Sequence, residues 1–341
     1  MHRTKKSRFK PEPIELREVK PRCKISAAKT PLLTAIKKVI NDLEEFLPLT
    51  LRQIFYALLN DPPLLHASKP DSRFSNDSKE LALKSYKTLT GLLRDARHEG
   101  LIPYEHIHDE TRIDVVWNTH ADLASYYDEQ IDDLLNDYHR DLMQSQENFF
   151  QIFVEKNTLN GIVRPIASKF TIPYQTGRGQ TTTSPVWKIA QRYKASGKDK
   201  LIILSLSDLD PDGDAITHAI GQRLRDDHAI DNVEVYKVAL TMQQVRDPAL
   251  RLSQNFLEAK ETSPNYKRYV ERYDSSSAWE LEAVPPRTLQ QMLEQHINAL
   301  IDQKAFKREL AQEREDAERN DEVRERVIET LRDAVDEDDD D

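Results

Sequence analysis

Apolar residues fall on this chain in two rhythms, and the change between them divides it. From Pro31 to about Phe46, Leu32, Leu33, Ile36, Val39, Ile40 and Leu43 recur at helical spacing, and Pro48 breaks the run. Thr50 and Gln53 form a capping-box pattern, which predicts a helix from Leu51 to about Asn60. Its apolar stripe is Leu51, Ile54, Phe55, Leu58 and Leu59. Arg52 and Tyr56 lie off that stripe, one turn apart, so Tyr56 is expected to face outwards beside a guanidinium. Asp61 to Ser78, with three prolines, reads as a loop or wing. A basic amphipathic helix is predicted from Lys79 to about Glu99, with Lys84, Lys87, Arg94 and Arg97 among Leu81, Leu83, Leu89, Leu92 and Leu93. Two short helices, a break and a basic helix suit a helix-turn-helix or winged-helix DNA reader; a solvated basic face is the plainer reading. Leu101 to Val116 reads as loop and strand, and Asp122 to Asn148 as a polar, acidic helix. Tyr126 and Tyr127 in that stretch have acidic neighbours that would repel phosphate, so they read as structural.

From Phe149 the rhythm changes. Phe150 to Val154 reads as a strand ending in Glu155-Lys156, followed by a helix (Leu159 to Phe170) and a short strand (Thr171 to Tyr174). The loop Gly177-Arg178-Gly179-Gln180 could bring backbone and Arg178 close to a phosphate. Another helix, to about Ala195, leads into the aliphatic run Leu201 to Leu206, the pattern of a strand buried on both faces. That strand stops in Asp208-Leu209-Asp210-Pro211-Asp212-Gly213-Asp214, with Asp214 expected to cap a helix from Ala215 to about Leu224. Val233 to Val238 supplies a fourth strand. The β-α-β-α-β-α-β order predicts a parallel sheet, and ligands of such sheets bind at the carboxyl ends of strands. Glu155, Asp208 and Asp210 all fall there. Carboxylates without His or Cys favour a hard cation such as magnesium. An EF-hand loop is excluded, because its twelfth position is Ala219 and Pro211 sits inside it. A turn that merely caps a helix is the plain alternative. Farther on, Leu289, Met292, Leu293, His296, Ile297, Leu300 and Ile301 trace a helical stripe, expected to pack on its own domain, with His296 a core histidine. A charged helix is predicted from about Val323 to Val335.

Composition refines this picture. The 341 residues suit two domains with appendages: a basic arm (1–30), a helical unit (31–148), a sheet domain (149–302) and a charged tail (303–341). The net charge of −10 argues against nucleic acid only until it is located. From Ala311 onward there are 15 acids and 5 bases, so the first 310 residues are neutral overall. The first 24 residues hold 9 bases against 3 acids. A basic arm, neutral body and acidic tail suit a DNA-binding protein. Cys23 stands alone, which excludes an internal disulfide and a cysteine-based zinc site. No apolar run approaches the ~18 residues of a membrane span, and the basic start has no apolar segment behind it. A cytoplasmic protein is the expectation.

A strand-ending Glu155 and a later strand ending Asp208-x-Asp210-Pro211-Asp212-Gly213 resemble the Toprim domain, in particular that of the A subunit of DNA topoisomerase VI and the related meiotic double-strand-break transesterase. Leu51-Arg52-Gln53-Ile54-Phe55-Tyr56 resembles the Arg-x-x-Tyr-Tyr segment of that family's winged-helix domain, with Phe55 in place of the first tyrosine. Ala278-Trp279-Glu280-Leu281-Glu282-Ala283-Val284 resembles a late Lys-Ala-Glu-Ile-Gln-Ala-Leu segment. The likeness spans about residues 35 to 300 and is strongest to compact, stand-alone versions from plasmids and phages. It implies a winged-helix domain followed by a Toprim-like sheet domain. It implies magnesium, or manganese, held by Glu155, Asp208, Asp210 and Asp212, and a catalytic set of Tyr56, Arg52 and Glu155. Tyr56 would then attack double-stranded DNA and stay joined to the 5′ end. The site would be shared across a homodimer, with a possible separate ATPase subunit, since no ATP site is read in this chain, and with a place at the nucleoid. Similar architectures occur in nucleases of plasmid defence, so a hydrolytic Toprim nuclease is the second reading. A non-catalytic DNA-binding protein is the third.

Overall fold

The computed structural model describes residues 24–108, 118–120, 122–136, 138–177 and 183–339. The basic arm before Lys24, Arg178 with its loop, and the last two residues of the acidic tail lie outside the described residues. Pro31 at the first turn opens α1 (Thr30–Asp42), which buries Leu32, Ile36 and Ile40; Glu44–Phe46 tightens into a 3₁₀ turn, so the helix stops short of Phe46. β1 (Leu49–Thr50) feeds α2 (Leu51–Asn60) through the expected capping box. Gln53 N donates to Thr50 Oγ1 (3.1 Å), and Thr50 N to Gln53 Oε1 (2.7 Å). Ser78 caps α3 (Lys79–His98), whose buried side is Ser85, Leu89, Leu92, Leu93, Asp95 and Ala96. β2 (Ile107–His108) pairs in parallel with β1, and the segment between α2 and α3 makes one antiparallel bridge, Leu64 to Arg73. Helices α1 to α3 and a short parallel pair thus pack at the start of this half; no wing hairpin is seen among the described residues.

The acidic helix expected over 122–148 is only α4 (Leu123–Asp132). Beyond it the chain is drawn onto the C-terminal helix instead. Arg140 pairs with Glu309 (2.8 Å) and Asp316 (2.9 Å), and Tyr138 donates to Asp316 (2.9 Å). Such contacts outweigh helix propensity.

The second half is an all-parallel sheet of β3 (Phe149–Val154), β4 (Tyr174–Thr176), β5 (Leu201–Leu206) and β6 (Val233–Ala239), in the order β4-β3-β5-β6. α5 (Asn160–Lys169), α6 (Thr183–Ser196) and α7 (Pro211–Asp226) connect them. Alternation along β3 and β5 sends Ile152, Val154, Leu204 and Leu206 to one face with α5, and Phe153, Leu201 and Ile203 to the other with α6 and α7. The chain therefore leaves neighbouring strands β3 and β5 towards opposite faces. That makes their carboxyl ends a topological switch point, where open sheets place their ligands.

After β6 come α8 (Met242–Arg246), β7 (Leu257–Glu258), α9 (Tyr266–Tyr273), and β8 (Ser277–Ala278), which is antiparallel to β7. α10 (Pro286–Leu300) packs Leu289, Leu293 and Ile297 on its own domain, beside α5 and β6, and His296 Nδ1 lies 2.7 Å from Met292 O. α11 (Gln303–Asp339) is one long helix, not the short one expected from Val323. Neither Gly nor Pro interrupts it. No helix among the described residues is long and apolar enough to cross a membrane.

One buried apolar cluster runs from Leu32 in α1 through Ile152 and Leu204 in the sheet to Phe306 in α11, across the division expected at residue 148. Ile36→Ala in the helical half should therefore cost about 2–5 kcal/mol and lower one shared urea transition. Far-UV circular dichroism and tryptophan fluorescence should move together; two separated transitions would show that the halves unfold independently.

Candidate active site at the carboxyl edge of the sheet

β5 delivers its acids by changing structure at once. Asp210 is the N-cap of α7, its Oδ1 accepting from Gly213 N (2.6 Å), and Pro211 takes the first helical position. The helix thus begins four residues before Ala215, and Asp214 is not its cap. Asp214 instead accepts from Tyr273 Oη (2.7 Å) and Arg272 (3.1 Å). Gly213 is required by close approach, since a Cβ there would lie 2.5 Å from Asp208 O and 2.9 Å from Glu155 Oε2.

Glu155, at the end of β3, accepts from Asp208 N through Oε2 (2.9 Å). Asp208 accepts from Leu281 N through Oδ1 (2.8 Å) and pairs with Lys156 through Oδ2 (2.7 Å). Burial raises the pKa of both carboxyls; each is raised further by a neighbouring carboxylate, Asp208 beside Glu155 and Glu280 beside Asp208. Lys156 and the backbone donors oppose the rise. Lys237 lies beneath them, donating to Asp208 O (3.1 Å), with its pKa lowered by burial against the pull of Asp214 and Glu155.

The four expected metal acids are not gathered into one cage. Asp212 turns away, accepting from Ser263 Oγ (2.6 Å) and Asn265 Nδ2 (3.3 Å). Among the described residues no three acids, histidines or cysteines are grouped closely enough to hold a metal. Glu155, Asp208 and Asp210 nevertheless fit a hard divalent cation in kind. They are all-oxygen donors, and Glu155 and Asp208 are buried, which raises the pKa of both.

The helical half meets this edge directly. Leu209 and Trp279 exchange backbone hydrogen bonds (2.8 and 2.9 Å), laying Glu280, Leu281 and Glu282 beside Asp208. Glu280 then receives Arg52 and, at 2.9 Å, the Tyr56 hydroxyl. Glu282 receives Thr50 Oγ1 (3.1 Å), and Lys156 Nζ stands 3.4 Å from Glu282 and 3.8 Å from Glu280. A continuous polar chain thus joins Tyr56 to Asp208 within a single polypeptide. No protein-family model, curated protein or solved structure matches this chain.

One expectation changes. Tyr56 is 3% exposed and does not face outwards; the 280–286 segment covers the side of α2 that its stripe leaves open. Its hydroxyl is held protonated, mainly by burial and then by Glu280, with Arg52 opposing. Arg52 is itself committed to Glu280, which outweighs burial and raises its pKa. Within one chain, Tyr56 reaches Asp208 through Glu280 and Lys156. Lys156, Glu280 and Glu282 escaped notice as site residues, although Lys156 follows Glu155 and both glutamates lie in the late segment quoted above.

Of the residues expected on DNA, Lys84 and Lys87 are exposed on α3, opposite its buried side. Arg94 pairs with Asp95 (2.8 Å), and Arg97 stacks on Tyr104 (4.6 Å to the ring centre). The rival Tyr126 packs edge-on to His120.

The geometry separates the acids by role. Asp208→Asn should weaken manganese binding, followed by electron paramagnetic resonance, at least about tenfold. Asp212→Asn should leave it nearly unchanged, since Asn keeps the oxygen that Ser263 needs. Equal losses would return Asp212 to the ligand set.

Proposed function

We propose that this protein is a magnesium-dependent enzyme that cleaves double-stranded DNA by transesterification, with Tyr56 as nucleophile and a 5′-phosphotyrosyl product. One observation carries the reading: the Tyr56 hydroxyl is linked through Glu280 and Lys156 to the strand-end acid Asp208. A tyrosine and an acidic sheet edge, read separately from two distant stretches, meet at one place. The helical half, read as a winged-helix reader, would lay the Lys84, Lys87 and Arg94 face of α3 along the phosphates. Glu155, Asp208 and Asp210 would hold magnesium or manganese, which when bound supplies positive charge for the phosphate. Arg52 offsets charge on the phenol oxygen as it loses its proton. Lys156 holds Asp208, Glu280 and Glu282 in register; burial works against its charge and these acids outweigh it, so it stays protonated.

The resemblance implies a site shared between subunits, but the polar chain here closes within one chain. A homodimer would then bring two complete sites, one to each strand, and an ATPase partner would be needed only for strand passage. The burial of Tyr56 favours a second reading, a Toprim nuclease in which water attacks and the phenol is structural.

The test uses duplex DNA labelled next to the cut, magnesium, and a detergent quench. Wild type should carry label on the protein, and Tyr56→Phe should lose it together with cutting while still binding DNA. Tyr56→Phe that cuts well and leaves free 5′-phosphates would establish the nuclease instead. Mixing Tyr56→Phe with Asp208→Ala chains should restore nothing, because each chain holds its own site; recovery would show that tyrosine and acids are paired across subunits.

A further inference from the structure

We infer that Glu280 is the proton acceptor that activates Tyr56. This rests on the transesterase reading and adds a catalytic residue that the strand-end motifs do not contain. A free phenol, with a pKa near ~10, is a weak nucleophile at neutral pH until a base takes its proton. Geometry comes first in choosing that base, and Glu280 Oε2 lies 2.9 Å from Tyr56 Oη, inside the range for direct proton transfer.

Three features hold Glu280 to that task. Its backbone is fixed by the Leu209–Trp279 exchange, which Tyr269 Oη braces at 3.0 Å from Leu209 O and 2.8 Å from Ser277 O. Its carboxylate is positioned by Arg52 on one side and by Lys156, 3.8 Å away, on the other. It is also apart from the acids that fit a cation, so proton transfer and cation binding do not compete for the same oxygens. Arg52 is 45% exposed and forms the solvent rim beside the phenol, where a phosphate can approach. A cavity of about 320 Å³, with Gln53, Tyr56, Ala57 and Glu282 in its lining, adjoins the ring.

The step balances without a further reactant. As Tyr56 Oη forms its bond to phosphorus, the hydroxyl proton passes to Glu280 Oε2. The bond from phosphorus to the 3′ oxygen breaks, and its electron pair leaves on that oxygen, which takes a proton from water. DNA stays on Tyr56 through its 5′ phosphate. In religation the 3′ hydroxyl attacks and loses its proton to water, and Glu280 returns its own to the departing phenol oxygen.

The experiment measures single-turnover formation of the covalent adduct by the full chain. Glu280→Gln should slow it by roughly 10²–10⁴-fold, the usual worth of a general base, with melting temperature and DNA affinity kept. Replacing Tyr56 in that variant by a fluorinated tyrosine, whose phenol is more acidic, should recover at least about tenfold, since less depends on the base. A merely structural glutamate would not respond to phenol acidity. Should Glu280→Gln melt early, Glu280→Asp with the same fluorinated tyrosine is expected to show the same recovery. Glu280→Gln that forms adduct as fast as wild type or faster would overturn the assignment and make Glu280 a latch on the tyrosine. A folded variant without fluorotyrosine recovery would overturn it too. Either result, with wild type forming adduct, leaves the transesterase reading standing. Wild type that cuts DNA without any adduct removes both.

Discussion

The buried carboxylate of Asp208 is the constraint on which the rest of the site depends. A carboxylate withdrawn from water must be met by donors or a cation, or its burial costs several kcal/mol. Here the donors come from two directions, Leu281 N and Lys156 Nζ. The first obliges the 279–282 segment to cross the end of β5, where the Leu209–Trp279 exchange fixes it. Once that segment is in place, Glu280 and Glu282 face the start of α2 and take Arg52, Tyr56 and Thr50. The helical half is thus docked by the same interaction that satisfies the acid.

The pieces legible in the sequence are those set by local rules. Thr50 and Gln53 announced their capping box, because both partners lie within one turn. The aliphatic run of β5, and the acids and glycine behind it, announced a parallel sheet and a site at its carboxyl edge. Asp210 and Asp212 show where local reading stops. Pro211 starts a helix at once, so Asp210 becomes its N-cap while Asp212, in its first turn, accepts from Ser263.

Tyr56 departs from the local pattern for a different reason. A stripe computed on α2 identifies the side of the helix that meets its nearest neighbours, α1 and α3. It says nothing about a segment more than two hundred residues later in the chain. Gln53 and Tyr56 are buried because residues 280–286 lie across the other side of α2. The long-range partners Glu280, Glu282 and Lys156 were invisible for the same reason. Charged residues in a polar stretch read as solvated until something buried is found to need them.

The charges at this edge bear on the order of events in the proposed reaction. Glu155, Asp208, Asp210, Glu280 and Glu282 are set against Arg52, Lys156 and Lys237. Like charges about 4 Å apart repel by roughly 4 kcal/mol at the effective dielectric of a protein surface. In the proposed reaction, a DNA phosphate arriving first would meet repulsion from those acids that are ionised. Each of these cations is already engaged: Lys156 with Asp208, Arg52 with Glu280, and Lys237 with the Asp208 carbonyl. A cation held by Glu155 and Asp208 would offset that repulsion and favour ionisation of both carboxyls, against the burial that raises their pKa. Cation before DNA is the order that the electrostatics of this edge favour.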